Sequence, residues 1–164
     1  ENAADFSDAN NIVYGHHMND GSMFAQFADF RDEGTFNEHR TVYIFTPERN
    51  YKLTTFSLVV VDASDPLAQP SFADAEELQS YVQDKMDRST VTPDPATVAA
   101  DGVEKMFAFV TCADYSATND RIVLFANVAD SAVPANASTP EDDAGGSIDP
   151  EDAAAAEDAA GDVA

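Results

Sequence analysis

In Phe107-Ala-Phe-Val-Thr-Cys112-Ala-Asp-Tyr-Ser-Ala-Thr-Asn-Asp-Arg121, an aromatic and β-branched run stops at the only cysteine of the chain, a polar segment follows, and an arginine opens the next apolar run. The pattern predicts two neighbouring strands, Lys105 to Thr111 and Arg121 to Val128, joined by a short loop. A thiol at the mouth of a strand is half buried and half wet, which suits a nucleophile that substrate must reach. Taken alone, a single cysteine is more often a small core residue. Its function therefore depends on partners elsewhere in the chain.

Working outward, three further segments read as strands. Ile12-Val-Tyr14 is a short buried strand broken by Gly15 and followed by His16-His17-Met18. Thr41 to Phe45 and Tyr51 to Val61 flank a Pro- and Asn-containing turn, which predicts an antiparallel hairpin whose second strand is long enough to bend round a barrel. Between these strands, Ser22 is expected to cap an amphipathic helix over Met23 to Phe30, its stripe of Phe24, Phe27 and Phe30 belonging to the core, and Gly34-Thr-Phe36 to restart the chain after it. A second helix is expected over Ala75 to Met86, with early acids (Glu76, Glu77) and late bases (Lys85, Arg88) matching its dipole. It lies in a connection too long to be a simple link between strands, which points to function. The predicted fold is mainly β with helices, in one domain over residues 1–128.

From Ala129 the composition changes. Residues 129–164 hold ten acids, no base and no aromatic residue, too little apolar surface to offset chain entropy, and are expected to form a disordered acidic tail. Over the whole chain 31 acidic residues face 8 basic ones, a net charge of -23. With no basic cluster, nucleic acid and anionic lipid are repelled, and nucleic-acid binding is excluded as a main function. A single cysteine forbids an internal disulfide. No run of about 18 apolar residues exists that could span a membrane. A strand begins almost at once, without an initiator Met, and the chain is expected to be a fragment.

His16, Cys112 and Arg121 form a chemically coherent set. They supply a proton donor and acceptor for the amine, a thiolate nucleophile, and a fixed cation for the oxygen of a tetrahedral intermediate. Individually, His16 reads as a packed or surface histidine and Arg121 as a solvated charge at a strand end. His39 has no supporting motif, and His17 is set aside because adjacent strand positions face opposite ways.

Asn11-Ile-Val-Tyr-Gly-His-His-Met-Asn-Asp-Gly-Ser-Met-Phe24 resembles the histidine motif of class B sortases, and Thr111-Cys112 followed by Arg121 resembles their cysteine and arginine motifs. The order His, long helical insertion, Cys, Arg matches as well, and the likeness runs from about Asp5 to Val128. It implies a sortase-like closed β-barrel, partial in this chain, with the membrane anchor and first strands upstream, so that residues 1–128 would be the C-terminal portion of a catalytic domain, unstable or inactive on its own. It further implies a cysteine transpeptidase on the extracytoplasmic face of the bacterial membrane. Such an enzyme cleaves the sorting signal of a surface protein, forms a thioacyl intermediate and passes the acyl group to an amine of a peptidoglycan precursor or a pilin. By motif position Cys112 is the nucleophile, His16 the proton donor and acceptor, and Arg121 the oxyanion and substrate cation. Tyr14 and Thr111 are substrate-binding candidates, and no metal or organic cofactor is implied. Where sortases commonly have Leu-Ser before Thr-Cys, this chain has Phe109-Val110, which removes a hydroxyl from the substrate side. Two alternatives stay open: a degenerate, non-catalytic sortase-like domain that binds peptide, and an interaction protein whose acidic tail does the work.

Overall fold

The computed structural model describes residues 2–62, 64–65, 69–113 and 119–135. Five strands form one sheet: β1 (Asn10–Tyr14), β2 (Thr41–Phe45), β3 (Asn50–Asp62), β4 (Met106–Cys112) and β5 (Asp120–Ala132). Their order is β1-β4-β5-β3-β2. β1 runs parallel to β4, and the other pairings are antiparallel. The strands expected from sequence are all present. Among the described residues the sheet is open, with β1 and β2 at its edges, so it is part of a barrel wall and not a closed barrel.

Both faces of the sheet are covered, and β4 is accordingly apolar at nearly every position. Its odd residues Phe107 and Phe109 join Leu124 and Ile122 of β5 in a core lined by Phe30 and Phe36, while its even residues Met106, Ala108 and Val110 pack with Val123, Phe125, Leu78 and Val82. Along β3, Leu53 faces the first core and so does Leu58, although an odd and an even position should point opposite ways. A register shift between Thr55 and Ser57 resolves this, because one extra residue inverts the alternation and bends the strand. This explains why the sequence of β3 alternates at first and then becomes continuously apolar.

The helices differ more from expectation. The stripe of Phe24, Phe27 and Phe30 does pack on the first core, with Phe24 and Phe27 against Phe109. It does so from a 3-10 helix over Ala25–Arg31 that Ser22 does not cap. Asp20 Oδ1 accepts the Ser22 N–H at 3.0 Å, and Gly21 and Met23 both adopt positive φ, so the chain is still turning where the helix was expected to begin. Met23 is 64% exposed, outside the core. Residues expected to be a restart after the helix instead form α1 (Glu33–Glu38), nucleated by Asp32, whose Oδ1 accepts from the N–H and hydroxyl of Thr35. Those hydrogen bonds hold the Asp32 carboxyl below its ordinary range.

α2 spans Ala75–Asp87. Its start is a reciprocal cap: Asp74 accepts the Glu77 N–H at 2.9 Å, and Glu77 reaches back to the Ala73 N–H at 2.6 Å. Tyr81 packs on Phe125, and burial pushes its phenol up to about 12. At the other end the Ser57 hydroxyl donates to Lys85 O at 2.6 Å, so the helix is pinned over the bulged part of β3. Asp74→Ala removes the cap, and we expect a loss of about 1 kcal/mol, read as a lower urea midpoint at unchanged slope. An unchanged midpoint would mean that Glu77 alone organises the turn.

β5 runs to Ala132, past the expected domain boundary at Val128. Its last residues pair with the start of β3, Ser131 with Tyr51 and Ala132 with Asn50, so the first polar residues of the acidic segment serve as strand. Of the disordered tail expected over 129–164, residues 136–164 lie outside the described residues.

Candidate active site

The parallel pairing of β1 with β4 brings both C-terminal ends to one end of the sheet, and the antiparallel β5 starts there. Along β1 and β4 the partners keep one offset, from Asn10 opposite Met106 to Tyr14 opposite Val110. Continued by two residues, the same offset sets His16 level with Cys112. On the other side Cys112 lies opposite Arg121. Register therefore sets Cys112 beside Arg121, on the face that carries α2, and the segment just past β1 brings His16 to the same cleft.

Hydrogen bonding refines this placement. Ala113 N–H donates to Asp120 O at 3.0 Å, which makes Ala113 and Asp120 a bonded pair and Cys112 and Arg121 the adjacent non-bonded one. Residues in such pairs have Cα atoms about 4.5 Å apart and side chains on the same face. It also follows that the Cys112 peptide group is directed toward β1. There the Gly15 N–H donates to Val110 O at 3.0 Å, just past the last paired residue of β1.

An open cleft of about 230 Å³ is lined by Tyr14, Gly15, His16, Val110, Thr111, Cys112 and Arg121. His16 is exposed and Cys112 half buried. The His16 carbonyl accepts the Phe24 N–H at 3.0 Å, so the segment after β1 is fixed by the turn that leads into the aromatic stripe. The glycine before it is required by close approach: a methyl group on Gly15 would overlap the Phe24 ring, with Cδ1 only 2.7 Å away. Arg121 Nη1 donates to Asp120 O at 3.2 Å, and the nearby Arg121 charge adds to the Ser64 hydrogen bonds that hold the Asp62 carboxyl low.

The cleft thus contains every residue singled out from sequence. Tyr14, expected to be buried, is 64% exposed and forms one wall. Thr111 borders the cleft but is only 2% exposed, and its hydroxyl has no hydrogen-bond partner among the described residues. His39 lies away from this cleft, against Phe30 and a groove beside β2. His17, set aside on alternation, approaches the site from behind: its Nδ1 is 3.0 Å from Cys112 O. The alternation rule did not reach it because β1 ends at Tyr14. Among the described residues no three His, Cys, Asp or Glu side chains converge to hold a metal ion.

No family model matches the chain. The chain is 26% identical over 120 residues to sortase B of Staphylococcus aureus, a match covering 73% of this chain and 48% of that protein. It spans about half the length of that curated relative. Among solved structures, Clostridium perfringens sortase B superposes with a TM-score of 0.69 at 27% identity, covering 79% of this chain and 70% of that one. A Staphylococcus aureus sortase B–substrate complex gives 0.67 at 25% identity, covering 77% and 58%. The partial barrel wall, the order of the histidine, cysteine and arginine motifs, and these likenesses agree: in sequence and in fold the chain is similar to the class B sortases.

Proposed function

We propose that this chain carries the catalytic cleft of a cysteine transpeptidase that acts on the sorting signal of a surface protein. The observation that supports this most is the single cleft shared by His16, Cys112 and Arg121, which three separate strand ends bring together. In the proposed reaction the Cys112 thiolate attacks the scissile carbonyl carbon, and Arg121 faces the oxygen on which negative charge develops. The C–N bond breaks, the His16 imidazolium gives its proton to the departing amine, and a thioester to Cys112 remains. An amine of a peptidoglycan precursor or pilin then attacks the thioester, losing a proton to His16, and the Cys112 thiolate leaves. Tyr14 is the exposed aromatic wall for the peptide, and Thr111 contributes through the backbone that borders the cleft. Val110, where related enzymes commonly carry a hydroxyl, lies at the floor of the cleft but is only 1% exposed and packs in the core, so it offers the peptide little surface.

The site of action in this reading is the outer face of the bacterial membrane. No helix among the described residues is long and apolar enough to cross a membrane. The direct test is intact-mass spectrometry of the protein with a panel of threonine-containing sorting-signal peptides, with and without triglycine. Because His16, Cys112 and Arg121 line one cleft, we expect, against the inactivity that the partial barrel implied, a peptide adduct on Cys112 that triglycine discharges as a ligated product. Peptide binding without adduct or cleavage across the panel would overturn the enzyme reading in favour of a peptide-binding domain.

Arg121→Lys separates charge from shape. A lysine keeps the cation but not the planar fork that contacts two oxygens at once. We expect adduct formation to slow about 10²-fold with peptide affinity little changed. Full activity in the lysine variant would reduce Arg121 to a general electrostatic role.

A further inference from the structure

Where the ladder between β1 and β4 ends, a side chain takes the place of the backbone. In a parallel pair, donors from one strand to its neighbour recur at every second residue. Gly15 N–H bonds Val110 O, so the next donor in the series would be the N–H of residue 17, and its acceptor Cys112 O. The chain has by then left the strand, and His17 instead pairs with Met23 in an isolated antiparallel bridge. Yet the Cys112 carbonyl does not lose that partner, because Nδ1 of the same residue, His17, stands 3.0 Å away.

A carbonyl oxygen only accepts, so an Nδ1 in hydrogen bond with it must carry the proton. We infer that His17 is a positioning residue of the site: its Nδ1–H donates to Cys112 O, and this link holds the nucleophile in register with His16 beyond the end of the regular ladder. The inference rests on the reading of His16 and Cys112 as a catalytic pair. His17 follows His16 directly, and its side chain reaches the Cys112 carbonyl. A shift of that carbonyl moves the thiol with it, since both belong to the same residue. Misplacement by about 1 Å is enough to cost an enzyme 10²-fold in rate.

Two measurements test the assignment. In a long-range 1H–15N spectrum of the wild-type protein between pH 7 and 8, with His17 identified by its absence from a His17→Asn variant, the proton should be found on Nδ1. A neutral ring protonated only at Nε2 would overturn the proposal, whether or not the protein cleaves any peptide. The second measurement compares His17→Leu with His17→Asn. The two side chains have similar shape, but only the amide of asparagine can donate from the place that Nδ1 occupies. At equal melting temperature, His17→Leu should form the Cys112 thioester about 10-fold more slowly with KM nearly unchanged, and should alter the pH profile of Cys112 alkylation by iodoacetamide. His17→Asn should stay within about 3-fold of wild type on both counts. Because Cys112 is the only cysteine, alkylation reads this thiol alone. If the leucine variant matches wild type in both assays, His17 does not position the nucleophile. If it does not fold, the asparagine variant decides: near-wild-type rates support the link, and a 10-fold loss overturns it. A wild-type protein that cleaves no peptide would sink the transpeptidase reading alone, leaving the alkylation and tautomer results to judge His17.

Discussion

Cys112→Ala is expected to reduce peptide cleavage by a factor on the order of 10⁴ or more, to the background rate, while leaving the fold intact. The thiol is half buried at the end of β4, and its removal deletes one sulfur at the mouth of a cleft, not a filler of the core. The destabilisation should therefore be small, about 1 kcal/mol or less. The informative comparison is with His16→Ala and the double variant. If His16 serves only the chemistry of Cys112, removing both costs no more than removing the thiol alone, because groups that act as a unit lose their effect together. Chromatographic assay of peptide cleavage, alongside thermal melts, checks both points. Cleavage that survives in Cys112→Ala would move the chemistry to another residue, and a double variant markedly slower than either single one would give His16 an independent role.

Gly15→Ala should damage both stability and activity, although it adds one methyl group. That methyl would fall within the Phe24 ring, which is wedged against Phe27 and Phe109 and has little room to retreat. Overpacking of this kind costs about 1–3 kcal/mol. The alternative to moving Phe24 is to move Gly15, and with it His16, whose carbonyl is bonded to Phe24 N–H. Either path displaces the base relative to the thiol, and we expect about a 10²-fold loss in thioester formation. Phe24→Ala on the Gly15→Ala background should return part of the activity, because it opens the space the methyl needs. A Gly15→Ala protein as stable and active as wild type would show that the close approach of Phe24 is not maintained in solution.

The strands were legible because their signals are local. β-branched and aromatic runs bounded by turn residues define β2, β3, β4 and β5 without knowledge of their neighbours. α2 was legible for a related reason, its early acids and late bases lying within a few turns of one another. The elements missed depend on information that is not local. α1 is six residues long and contains Gly34, so neither length nor propensity marks it, and only the Asp32 cap hints at its start. Ser22 looked like a cap by type, but the competing Asp20 hydrogen bond decides the conformation there. In the site, the identities of His16, Cys112 and Arg121 could be read from chemical type and motif order. The part played by His17 could not, since it follows from the alignment of β1 with β4, two strands whose pairing no local pattern announces.

That alignment has a consequence for when the thiol becomes reactive. Asn10 pairs with Met106, the widest sequence separation of any pairing in the sheet, whereas β4 meets β5 through a short connection. Contacts between distant residues form at a higher entropic cost and tend to come late in folding. We therefore expect a newly made chain to hold Cys112 beside Arg121 before it holds either beside His16. On the proposed roles, the thiol would meet its proton carrier late in sheet assembly, and a partly folded molecule would contain the thiol without the means to use it.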